Sequence, residues 1–134
     1  MLAAALPYVD AVAPQVYWFN FPNAKMVHQF KRPDGTAYTV GDPGQYADLC
    51  IDRWRRLMTG IAKPIILTGQ AYWGEANFSQ AEAEAKLTAF LNKWNGYGRI
   101  CGLNWWHFGG GDATSHAMLE TMVAAKLGAK PYAT

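Results

Sequence analysis

Lys63-Pro64-Ile65-Ile66-Leu67-Thr68-Gly69-Gln70-Ala71-Tyr72 is the stretch on which the fold turns. It opens as a continuous apolar run rather than an alternating one, and such runs belong to strands covered on both faces, which are usually parallel. Helical patterns stand on either side. Upstream, Tyr46, Leu49, Cys50, Trp54, Leu57 and Met58 recur at helical spacing over 46–58, with Gly60 where a C-terminal cap is wanted. Downstream, Ser79-Gln80-Ala81-Glu82 is a capping box, and Leu87, Phe90, Leu91 and Trp94 form an apolar stripe that stops near Gly96.

The same alternation continues outward. A β-rich run at 11–18, behind the turn-like Pro7 and Asp10, predicts a first strand, and 100–108 predicts a third. After the third come a loop, Gly109-Gly110-Gly111-Asp112, and a helix over 115–127 with the stripe Met118, Leu119, Met122 and Val123, ended by Gly128. The stretch 19–45 is rich in Pro, Gly, Asn and Asp and reads as a long loop, in which Arg32-Pro33-Asp34-Gly35-Thr36 is a turn able to fold a small hairpin. Strand and helix thus alternate three times. No Gly-x-Gly-x-x-Gly or Gly-rich Lys-Ser/Thr loop follows any strand, so a nucleotide-binding sheet is disfavoured. The expected fold is α/β, a partial (β/α) barrel of about three βα units with parallel strands, in a single domain over 1–134.

Composition agrees with one compact domain: 134 residues, 51% hydrophobic and only 16% charged, a balance that excludes disorder. The longest apolar runs stay well below the roughly 18 residues that cross a bilayer, so no membrane partner is expected. Twelve Lys and Arg against ten Asp and Glu give no electrostatic case for nucleic acid, and Arg53, Arg55 and Arg56 read as the solvated face of a helix. Cys50 and Cys101 sit in apolar settings and are expected as free thiols. No secretory signal is expected in residues 1–7, which lack a basic region, and the compartment stays open.

In a (β/α) barrel the chemistry gathers where strands give way to loops at their C-terminal ends. The first strand ends in Gln15, Tyr17, Trp18 and Asn20; the second in Thr68, Gln70, Tyr72, Trp73 and Glu75; the third in Asn104, Trp105, Trp106, His107 and Asp112. Each brings Tyr or Trp together with an amide. An aromatic face beside planar hydrogen-bonding groups matches a sugar, which offers a C–H face rimmed with hydroxyls. Any one of these aromatics could equally pack between strands and helices, and Gln15 and Gln70 could be structural amides or ligand contacts. Glu75 and Asp112 are the carboxylates placed to serve as a glycosidase pair, although a surface loop and a helix start are the alternatives for them. Neither His107 nor His116 lies in a zinc-binding spacing, and no metal or other cofactor is expected.

Ala13-Pro14-Gln15-Val16-Tyr17-Trp18, Lys63 to Gln70, and Gly102-Leu103-Asn104-Trp105-Trp106 resemble the closing strands of (β/α)8-barrel glycoside hydrolases of the chitinase-like and lysozyme-like, peptidoglycan-active kind. The resemblance implies that Tyr17 matches a sixth-strand Tyr touching the reacting sugar, and Trp105 or Trp106 an eighth-strand Trp flooring that subsite. It also implies a principal acid on a fourth strand that has no counterpart here. Two functions follow: a glycoside hydrolase using Glu75 and Asp112 on polysaccharide or peptidoglycan, or a non-catalytic carbohydrate-binding or structural half-barrel. Three βα units are less than half of a barrel of about 250 residues. Open edges then lead to the expectation of a homo-oligomer or a partner half.

Overall fold

The computed structural model of the chain describes residues 2–18, 26–70, 79–96 and 100–106, together with Ala117 and Glu120. Helix α1 (Leu2–Ala5) and a 3-10 turn (Leu6–Tyr8) lead to strand β1 (Gln15–Val16), followed by β2 (Met26–Lys31) and β3 (Ala37–Thr39). Helix α2 (Pro43–Leu57), β4 (Ile65–Gln70), α3 (Gln80–Gly96) and β5 (Ile100–Trp106) complete the described elements. The fold is α/β, with β1, β4 and β5 in a parallel three-stranded sheet that has β4 in the middle.

Where the elements differ from expectation, local chemistry explains it. The first strand shrinks to two residues because Pro14 has no N–H to give the ladder. Its carbonyl still accepts from Thr68 N at 3.0 Å, and Val12 is tied to Ile65 by a single bridge. Within 26–45 the long loop becomes structured. β2 and β3 pair antiparallel around the expected turn, in which Asp34 accepts from Thr36 N at 2.9 Å and Gly35 takes the left-handed φ of 84° that favours glycine. Helix α2 starts three residues before Tyr46, since Asp42 caps it, accepting from Gln45 N at 2.9 Å, and Pro43 fits its first turn. Asp42→Ala should therefore cost about 1 kcal/mol in chemical denaturation.

The capping box forms as expected: Glu82 N donates to Ser79 Oγ at 3.3 Å and Ser79 N to Glu82 Oε2 at 2.9 Å. Those contacts hold the Glu82 carboxyl below the usual carboxylate range. Of the helix expected over 115–127 only Ala117 and Glu120 are described, and both are helical. No described helix is long and apolar enough to cross a membrane.

Both long helices lie on one face of the sheet. Ala47 and Ile51 of α2, and Ala83, Leu87, Phe90 and Trp94 of α3, share one core with Val12, Val16, Trp18, Ile65 and Leu67. The β2–β3 hairpin covers the outer side of α2, where Tyr38 and Val40 bury against Leu49. Gly69 makes the middle of the core possible. A Cβ there would stand 2.5 Å from Trp105 Cζ3 and 2.7 Å from Phe90 Cε1, so only glycine lets both rings close over β4.

Candidate functional site

Strand parity and register sort the strand-end residues into two sets. Side chains alternate between faces along a strand, while parallel partners in register point the same way. Leu67 and Gly69 face the helices, so their partners Leu103 and Trp105 do too. The opposite face therefore carries the other parity. Across it Gln15, Thr68 and Asn104 form one row, amide, hydroxyl and amide. One step toward the strand ends, Gln70 pairs with Trp106.

Exposure follows the same division. Trp106 is 51% exposed, and Gln15 and Asn104 are exposed at the flanks, while Thr68 and Gln70 are buried on the central strand. Of the expected sugar-contacting residues, Gln15, Gln70, Asn104 and Trp106 thus come together on one face, whereas Tyr17 lies past the end of β1 with its hydroxyl buried on the side of Tyr46 of α2. Thr68, a hydroxyl that ranks behind the amides in the sequence, completes their row.

Trp18 and Trp105 part from this set as well, and the physical reason is parity. Trp18 is fully buried and sits against Phe90 with ring centroids 4.8 Å apart, so it packs the core rather than lining the face. Trp105 is half-buried on the helix side, edge-on to Phe90 at 5.5 Å. That leaves Trp106 as the aromatic of the closing strand on the open face. Tyr72, Trp73, Glu75, His107 and Asp112 lie outside the described residues.

The helix side holds a second polar region that local sequence signals do not mark. A depression of about 530 Å³ between the hairpin, α2 and α3 is lined by residues including Arg32, Asp34, Asp42, Gln45, Asp48 and Lys93. Its charges are already engaged. Lys93 Nζ lies 2.9 Å from Asp48 Oδ2 and Arg32 Nη1 4.0 Å from the same atom, while Arg32 Nη2 donates to Gln45 Oε1 at 3.0 Å. Arg32 also lies over the Tyr38 ring, 4.6 Å from its centroid. The arrangement latches the hairpin to the helices, and with partly exposed partners each ion pair is worth at most about 1 kcal/mol.

Tyr38 and Cys50 illustrate the helix side's chemistry. Burial, and then the hydrogen bond the hydroxyl donates to Asp52 Oδ2, push Tyr38 up to about 12 from an ordinary 10.0. Because the folded value is the higher one, the neutral phenol stabilises the fold fully below pH 10, and that contribution is lost as pH rises through about 12. Denaturant midpoints taken between those two limits should therefore fall more steeply for the native chain than for Tyr38→Phe. Cys50 is a free thiol pushed up to about 12 by burial, which makes it a poor nucleophile at neutral pH. Among the described residues no three His, Cys, Asp or Glu converge as a metal site.

Neither kind of carboxylate chemistry is visible on the open face itself, since no described Asp or Glu belongs to its rows. What the face can do is bind. Its amides and hydroxyl each donate and accept, and its exposed indole offers a flat apolar surface next to them. Comparison of the chain with models of known protein families, with curated proteins and with solved structures finds no match.

Proposed function

We propose that the chain is a glycoside hydrolase-like protein of partial (β/α)-barrel form. It acts on a polysaccharide, or on the glycan of peptidoglycan, through the open face of its sheet. One observation carries the proposal: Gln15, Thr68 and Asn104 align across three parallel strands, with Gln70 and the exposed Trp106 one step further toward the strand ends. A pyranose ring stacked on Trp106 would turn its equatorial hydroxyls toward the exposed amides of Asn104 and Gln15, which can serve each hydroxyl as donor or acceptor.

In this proposal Glu75 and Asp112 supply the chemistry from the segments that follow β4 and β5. One carboxylic acid protonates the glycosidic oxygen as the C–O bond breaks. The other carboxylate either attacks the anomeric carbon or takes a proton from the water that does, according to whether the two stand about 5 or about 6.5–9.5 Å apart. The parallel strands β1 and β5 each have β4 as their one described neighbour, and in the same proposal a second copy of the chain closes those edges.

A second reading, a non-catalytic carbohydrate-binding or structural half-barrel, is favoured by the lack of any described carboxylate on the face. Turnover of soluble and insoluble glycans by the native chain separates the two. The hydrolase reading expects Glu75→Gln and Asp112→Asn each to lower the rate about 10²–10⁴-fold while binding persists. A native chain that binds glycan without cleaving it establishes the second reading, and a rate that survives both substitutions removes these carboxylates from the mechanism.

A further inference from the structure

We infer that the open face selects uncharged glycans and rejects glycans built from uronic acids. The inference rests on the glycan reading above and names the substrate class for that same face. Charge is segregated in this molecule. The described charged side chains lie on the hairpin, on α2 and α3, on the segments leading into β1 and β4, and at Glu120. By contrast the rows Gln15–Thr68–Asn104 and Gln70–Trp106 contain no Lys, Arg, His, Asp or Glu.

Two physical consequences follow. A sugar hydroxyl both donates and accepts, and so do a primary amide and a threonine hydroxyl, so a neutral ring can satisfy this face in several orientations. A carboxylate can only accept, and it would shed water against the buried Thr68 and Gln70 with no cation among the described residues of these rows to balance its charge.

The test uses the whole chain and two soluble oligosaccharides of equal length: β-1,4-linked glucose and β-1,4-linked mannuronic acid. Calorimetric titrations are run at low and at physiological salt. The inference expects the glucose oligomer to bind at least about tenfold more tightly than the mannuronate oligomer. Placing one cation on the face at an exposed position, Asn104→Lys, should narrow that ratio about tenfold, and more at low salt than at high. Equal or tighter binding of the mannuronate oligomer by the native chain overturns the selectivity while leaving the glycan reading standing. Binding of neither oligomer, nor of a β-1,4-linked N-acetylglucosamine oligomer used as a second neutral probe, overturns both.

Discussion

Phe90→Ala is expected to destabilise the fold by about 3–5 kcal/mol, enough to unfold much of the chain near physiological temperature. Phe90 is fully buried on α3 and its ring lies between Trp18 at 4.8 Å and Trp105 at 5.5 Å. It therefore joins residues from the ends of β1 and β5 across the Cα of Gly69 on β4, where no side chain intervenes. Truncation removes aromatic contacts to both indoles and leaves a void bounded by rigid rings, which collapse poorly. Urea denaturation followed by tryptophan fluorescence measures the loss. A change below about 1 kcal/mol would mean that the helix-to-sheet packing differs from that described.

The opposite expectation holds for Trp106→Ala, one position past Trp105. Half of its surface is open and it belongs to the face opposite α2 and α3, so the denaturation midpoint should move little. Glycan affinity should instead fall about thirtyfold, the equivalent of about 2 kcal/mol for deleting a stacking tryptophan from a binding surface. Titration of a soluble β-linked oligosaccharide into native and variant chains reads this directly. Trp18→Ala provides the contrast, with a large loss of stability expected. An affinity change for Trp106→Ala that merely tracks a stability change would place the indole among packing residues.

These neighbouring tryptophans mark what a sequence can and cannot disclose. The parallel strand at Ile65 and the capping box at Ser79 are legible because their signals are local: a run of apolar residues, and a hydroxyl three positions before a carboxylate. The division between Trp105 and Trp106 is not local. Adjacent strand residues point to opposite faces, and which face is covered depends on register against β4 and on where the helices settle. Aromatic content at the strand ends alone therefore does not separate residues that face the helices, such as Trp18 and Trp105, from Trp106 on the opposite face.

The hairpin latch was hidden for a similar reason. Asp48 meets Lys93 across 45 positions of sequence, and no motif announces that ion pair. The start of α2 is a different case, since Asp42 and Pro43 are ordinary helix-start signals, masked by the Gly and Pro content of the segment around them. The pair Glu75 and Asp112 rests on sequence position alone.

Side-chain NMR shows whether glycan binds on the sheet face opposite α2 and α3. With the chain labelled with nitrogen-15, a neutral β-1,4-linked oligosaccharide is titrated in while the amide groups of Gln15, Gln70 and Asn104 and the indole N–H of Trp106 are followed. Saturable shifts are expected at these four residues, with the indole N–H of Trp18 and the side-chain amide of Gln45, in the hairpin latch, left unmoved. Shifts confined to the latch, or none at any of the four as oligosaccharide is added to excess, would contradict binding on that face.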